Sequence, residues 1–200
     1  MNIAMQYTFI LLSYLLGAIP FGYILTRYYT GENIMEMGSG NVGSTNVGRV
    51  AGKLIAIITQ LLDMLKGLLP VAVYLYFMDD RRLGSEFYVY AVALATIIGH
   101  DFSIFLKFKG GKGVNTTLGS SLLIAPFSVF ISVAIYFIVK WRLKYVSLGS
   151  IILGISLPLS ELLIHGLSST FYHLLVCTIL IILQHRTNIK RLLRSEELSS

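Results

Sequence analysis

"MGSGNVGSTNVGRV", residues 37–50, contains a literal G-x-G-x-x-G at Gly38, Gly40 and Gly43, and Asp63 follows at the distance where a dinucleotide fold keeps its ribose acid. How this stretch is read decides the fold. A dinucleotide loop needs a strand before it and a helix after it, inside a parallel sheet. Here an apolar run long enough to cross a bilayer, Ile3 to Thr26, comes before it, and another, Leu54 to Met78, comes after. Asp63 falls ten residues into the second run, not at a strand end. The match to the nucleotide pattern is therefore coincidental. "GGKG" at 110–113 is not a P-loop either: Leu106 stands where the first glycine must be, and Gly113 replaces the Ser or Thr.

The composition agrees. Of the 200 residues, 55% are apolar and only 13% charged, against about 25% charged in soluble domains. Mean hydropathy is +0.74. These values describe an integral membrane protein, expected to form one domain over residues 1–200. No cleavage-site pattern follows the first apolar run, so no removable signal peptide is expected. The single cysteine, Cys177, lies in an apolar run and reads as a small buried side chain.

Basic residues mark the loops. Arg27/Arg49/Lys53, Lys107/Lys109/Lys112, Lys140/Arg142/Lys144 and Arg186/Lys190/Arg191/Arg194 form four clusters, which the positive-inside rule puts on the cytoplasmic face. Arg81 and Arg82 belong to another loop, beside Asp79, Asp80 and Glu86. The third crossing is Phe87 to Leu106. Between Lys112 and Lys140 the chain must then cross twice or not at all. Residues 114–139 leave about 13 per leg, or about 20 Å each, with Pro126 near the middle. Two short helices meeting at Pro126 are expected; one long helix with "KWRLK" outside is the alternative. Crossings at Ser147–Ile164 and Thr170–Leu183 complete the set. The fold expected is all-α integral membrane, with about seven transmembrane helices, some short, the N-terminus outside and the C-terminus cytoplasmic.

Three cytoplasmic stretches have the chemistry of anion sites. Glycines let backbone N–H groups point into a concavity, and Ser, Thr and Asn add neutral donors. "GSGNVGSTN" offers Ser39, Asn41, Ser44, Thr45 and Asn46, followed by Arg49. "KFKGGKGVNTT" offers Lys107, Lys109, Gly110, Gly111, Lys112, Gly113, Thr116 and Thr117. "QHRTNIKRLLR" offers His185, Arg186, Asn188 and Arg191, and Ser147 and Ser150 open another helix. Lys and Arg make strong charge-assisted bonds to phosphate. Positive-inside charge and surface turns account for Arg27, Lys140 and Arg194, but not for amides and paired glycines in three places.

These stretches resemble the three cytoplasmic motifs of the bacterial acyl-phosphate:glycerol-3-phosphate acyltransferase family, the PlsY family. The first motif is similar to "GSGNVGSTNVGR" at 38–49, the second to "GHDFSIFLKFKGGKGVNT" from Gly99 to Thr116, and the third to "HRTNIKRLL" from His185 to Leu193. "LLDMLKG" at 61–67 also fits. Ser103 departs from the family's usual Pro, Asn115 from its usual Ala, and Ser195 and Glu196 from the Gly-Thr before Glu197. The resemblance implies transfer of a fatty acyl group from acyl phosphate to the 1-hydroxyl of glycerol 3-phosphate. The products are lysophosphatidic acid and phosphate, in the first acylation of bacterial phospholipid synthesis. It implies the cytoplasmic (inner) membrane as location, with the site facing the cytoplasm. The soluble enzyme that makes acyl phosphate is a candidate partner; no nucleic acid, cofactor or metal is implied. The residues agree in one further respect. The H-x-x-x-x-D pattern of thioester acyltransferases is absent, since Phe105, Thr170, Thr178 and Lys190 stand five residues after the four histidines.

Acyl phosphate is already an activated mixed anhydride, so positioning and charge stabilisation suffice without a covalent intermediate. Acyl phosphate is expected among Ser39, Thr45, Asn46, Arg49, Lys112 and Ser150. Glycerol 3-phosphate is expected near Lys109, His185, Arg186 and Asn188. Three routes for the attacking hydroxyl's proton stay open: His185 as base, a substrate phosphate oxygen with His185 only orienting, or Ser39 as a covalent nucleophile. Asp63 and Lys66 share a helix face and read as an ion pair supporting the site, with direct substrate contact as the alternative. His100 and Glu197 are expected to support the site; His165 and His173 flank an extracytoplasmic turn and are read as structural. A transporter would place its binding groups near the bilayer midplane, where only Asp63 and Lys66 lie. A membrane scaffold would leave the three motifs unexplained.

Overall fold

The computed structural model describes residues 3–78 and 86–198. The Asp79–Arg82 loop lies outside the described residues. Every regular element among them is helical. Five stretches are long and apolar enough to cross a membrane: Ala4–Thr30, Lys53–Phe77, Phe87–Leu106, Pro126–Leu143 and Val146–His165. The sixteen-residue helix Ser169–Gln184 is apolar but shorter. Many large apolar side chains face outward, among them Leu12, Leu61, Phe130, Phe137 and Leu163, while Thr59, Thr96, Ser120, Ser128 and Ser132 are buried. Apolar surface outside and small polar groups within is the arrangement hydrocarbon solvent favours.

The chain forms two compact units, Met1–Ser120 and Ser121–Ser200. In the first unit, α1 (Ile3–Ala18) packs along α5 (Glu86–Asp101). The approach is close: a Cβ at Gly99 would stand 2.2 Å from the Tyr14 carbonyl oxygen, so only glycine fits there. The first apolar run is broken at Pro20 and resumes as α2 (Phe21–Thr30). The seven-residue helix α3 (Ser44–Val50) lies against α4 (Lys53–Val73), which carries Asp63 and Lys66 and runs on through one wide turn, Tyr74–Met78. The eight-residue helix α6 (Val114–Ser121) closes the unit.

In the second unit, α7 (Pro126–Leu143) packs on α8 (Val146–His165), and α8 on α9 (Ser169–Gln184); α10 (Arg186–Leu193) follows. The two helices expected to share residues 114–139 are unequal. The eight residues of α6 reach only about 12 Å, whereas the eighteen of α7 reach about 27 Å. Pro126 marks the boundary as expected, but by opening α7: at the first helical position its missing N–H costs nothing, and Ala125 before it is non-helical at φ −140°.

Pro158 lies inside α8. It cannot donate to the Gly154 carbonyl one turn back. The Thr178 hydroxyl of α9 stands in, 2.6 Å from that oxygen, its one proton shared with the Leu174 carbonyl at 2.8 Å. Hydroxyls commonly repair proline breaks in apolar surroundings this way.

Candidate functional site

The first glycine loop is built around one amide. Asn46 is 2% exposed; its Oδ1 accepts the Ser39 N–H at 2.8 Å. Its Nδ2 faces the carbonyl oxygens of Met37 and Asn41 at 3.0 Å each and of Ile34 at 3.4 Å. Asn41 caps the turn by accepting the Gly43 N–H at 2.9 Å. Beneath the loop, Ile34, Val42, Val47 and Ile55 form a small apolar core that Leu106 also joins. The loop is thus fastened by buried groups at its base, and Thr45 and Arg49 stay exposed. Ser39 is half-buried.

The second loop is moulded onto the end of α5. Gly111 N–H donates to the His100 carbonyl at 3.0 Å. A Cβ at Gly110 would lie 2.1 Å from that same oxygen, and one at Gly111 would lie 1.9 Å from His100 Nε2. Lys107 and Phe108 adopt φ of 54° and 61°. Such left-handed turns cost a non-glycine residue of order 1–3 kcal/mol and tend to be kept at functional sites. Lys107 and Lys109 are exposed, Lys112 is half-buried, and Thr116 and Thr117 are buried. Two amides join the loops: Asn41 Nδ2 donates to the Gly110 carbonyl, and Asn115 Nδ2 to Ser44 Oγ, each at 3.2 Å. The first and second motifs therefore form one assembly. Asn115, a departure from the family pattern, makes one of its ties. Nothing in the sequence marked that role.

Below this assembly lies the ion pair. Asp63 Oδ1 is 2.8 Å from Lys66 Nζ and 3.6 Å from His100 Nδ1, and both members of the pair are 2% exposed. Lys66 Nζ also donates to the Ile19 carbonyl at 2.9 Å, and it sits 5.6 Å from the centre of the Phe21 ring. Ser103, the other departure in this unit, donates to the Ala18 carbonyl at 2.5 Å. The carbonyls exposed by the break at Pro20 are thus satisfied from α4 and from the segment after α5, as burial in an apolar medium requires.

In the second unit, Ser147 and Ser150 are buried in the first turns of α8. His185, 2% exposed, joins α9 to α10. Its Nδ1 lies 2.8 Å from the Ile181 carbonyl, which can only accept, so Nδ1 carries the proton. The chain after α10 turns back at Ser195, φ 58°. Glu197 then accepts from Asn188 Nδ2 at 2.7 Å and from Arg191 Nε at 3.0 Å. Arg186 is exposed. His165 binds Glu161, and His173 is buried beside Cys177.

The glycerol-3-phosphate acyltransferase family model matches residues 7–195. The chain belongs to that family. It is 40% identical to glycerol-3-phosphate acyltransferase of Clostridium acetobutylicum over 94% of this chain and 96% of the relative. It is 41% identical to that of Syntrophotalea carbinolica over 96% and 95%. Among solved structures, it is similar to PlsY (YgiH), an integral membrane glycerol 3-phosphate acyltransferase, in its glycerol 3-phosphate form. The TM-score is 0.90 and the identity 33%, over 98% of this chain and 96% of that one. The lysophosphatidic acid form of PlsY matches with a TM-score of 0.87. The chain is accordingly a multi-pass integral membrane protein of this acyltransferase family.

Proposed function

We propose that this family member takes its fatty acyl group from acyl phosphate and transfers it directly to the 1-hydroxyl of glycerol 3-phosphate at the cytoplasmic face of the bacterial inner membrane. The observation that carries the proposal is the joined pair of glycine loops. Together they carry Ser39, Arg49, Lys109 and Lys112 on one assembly. That is a donor set for phosphate, and both substrates carry one. The related PlsY structures in glycerol 3-phosphate and lysophosphatidic acid forms support the acceptor and the product.

In this reading Ser39, Thr45, Arg49 and Lys112 of the first unit hold the donor's phosphate, and Asn46 keeps Ser39 in place. In the second unit Arg186 and Asn188 hold glycerol 3-phosphate, with Asn188 and Arg191 steadied by Glu197. The hydroxyl oxygen attacks the acyl carbon, the bond from that carbon to the phosphate oxygen breaks, and the hydroxyl proton ends on the departing phosphate. Cations on the loops stabilise the charge that gathers there. With a proton on Nδ1, His185 in its neutral form has its lone pair on Nε2, the atom that would accept the hydroxyl's hydrogen bond and orient it. The test is phosphate release from purified protein given palmitoyl phosphate and glycerol 3-phosphate. Lys112→Ala should abolish turnover in a folded protein, and His185→Gln should lower kcat. A Lys112→Ala protein with wild-type turnover would overturn the assignment of the loop.

A further inference from the structure

We propose that Asp63, Lys66 and His100 are positioning residues, which hold the Gly110–Gly113 loop in its phosphate-binding shape from inside the membrane-spanning helices. The proposal rests on the reading that this loop receives a substrate phosphate. The His100 ring is the link. One edge, Nδ1, faces Asp63 Oδ1 at 3.6 Å; the other, Nε2, fills the space against Gly111 that a Cβ would need. The backbone of the same residue accepts the Gly111 N–H. The ring cannot turn without giving up Asp63 on one side or pressing on Gly111 on the other.

Asp63 is itself fixed. It is 2.8 Å from Lys66, and Lys66 is anchored to the Ile19 carbonyl at the break in the first span. This chain of contacts runs from Pro20, through α4, to the end of α5 and into the loop. Simple packing does not require charge here. A buried ion pair rarely adds net stability over apolar side chains of similar size, and ionisable groups in membrane spans usually serve function. A pair kept for stability alone could be replaced as a pair; a pair kept for geometry could not.

That difference supplies the test. In Asp63→Asn/Lys66→Met both charges of the pair are removed together, yet the fixed partner of His100 is weakened and the anchor at Ile19 is lost. Hydrogen–deuterium exchange of the detergent-solubilised protein without substrate should show faster exchange at Gly110–Gly113, with the melting temperature near wild type. The KM for palmitoyl phosphate should rise about tenfold while kcat changes less, since small misplacements of positioning groups carry costs of at least that order. His100→Gln, which leaves the pair intact, should loosen the same amides, and it carries the test if the double variant does not fold. Loop exchange and KM within twofold of wild type in the folded variant would overturn the proposal. Loop exchange is read without turnover. A wild-type protein inactive with palmitoyl phosphate would therefore refute the donor reading and leave the positioning claim to be judged on exchange.

Discussion

Gly110→Ala is the most informative single change. The new Cβ would stand 2.1 Å from the His100 carbonyl oxygen and 2.6 Å from that of Asp101. Both are backbone atoms at the end of a spanning helix, so no side chain can swing away. Real Cβ contacts essentially never fall below 3.0 Å, and the loop must retreat by roughly 1 Å. The Gly111 N–H bond to His100, 3.0 Å long, then opens to about 4 Å, beyond hydrogen-bond range. A misplacement of about 1 Å costs on the order of 10²-fold in rate, or about 2.7 kcal/mol of transition-state stabilisation. Overpacking should lower stability by about 1–3 kcal/mol. The assay is kcat/KM for glycerol 3-phosphate at saturating palmitoyl phosphate, read by phosphate release, beside a thermal melt. Gly31→Asn is the control. Gly31 is also left-handed, at φ 74°, but nothing lies within 4 Å of its Cβ position, and Asn tolerates that conformation. The control should keep wild-type kcat/KM. A folded Gly110→Ala protein within about threefold of wild type would refute the claim that this loop's shape sets the rate.

Three further outcomes follow from single contacts. Asn46→Asp should lower the melting temperature at least as much as Asn46→Ala, because the Nδ2 that donates to Met37 and Asn41 becomes an oxygen facing oxygens; differential scanning fluorimetry decides it. Thr178→Val should cost about 1–3 kcal/mol by stranding the Gly154 carbonyl, and less in a Pro158→Ala background, where the helix regains its own donor; a double-mutant cycle measures the difference. Glu161→Gln should cost about 1 kcal/mol or less, since an amide oxygen can still accept from buried Ser128 while its Nε2 donates to His165, which is free to change tautomer at 55% exposure. It should leave kcat/KM unchanged, because Glu161 lies about 16 Å along α8 from Ser150.

Much of this architecture can be read from the amino-acid order. Long apolar runs between basic clusters locate α4, α5 and α8 closely, because bilayer thickness fixes the length of a span. The three motifs are legible because glycines, amides and cations together have few structural uses at a helix end. What could not be read depends on partners distant in the chain. The break at Pro20 is hidden because apolar residues continue on both sides, and Lys66 and Ser103, reaching Ile19 and Ala18, make it tolerable. Residues 114–139 divide unevenly because Pro126 opens a helix, which an even split of the span could not anticipate. Asn46 reads as a ligand by its type and place. Its position at the base of the loop, with its amide turned onto backbone groups, appears only once the loop is folded.

The central claim is direct transfer from acyl phosphate to glycerol 3-phosphate. The measurement that tests it most directly is simultaneous quantification of phosphate and lysophosphatidic acid from purified protein given palmitoyl phosphate, before and after glycerol 3-phosphate is added. Direct transfer predicts no phosphate before the addition, then phosphate and lysophosphatidic acid in equal amounts. A burst of phosphate equal to the enzyme present, before any acceptor is added, would reveal an acyl-enzyme and contradict the account.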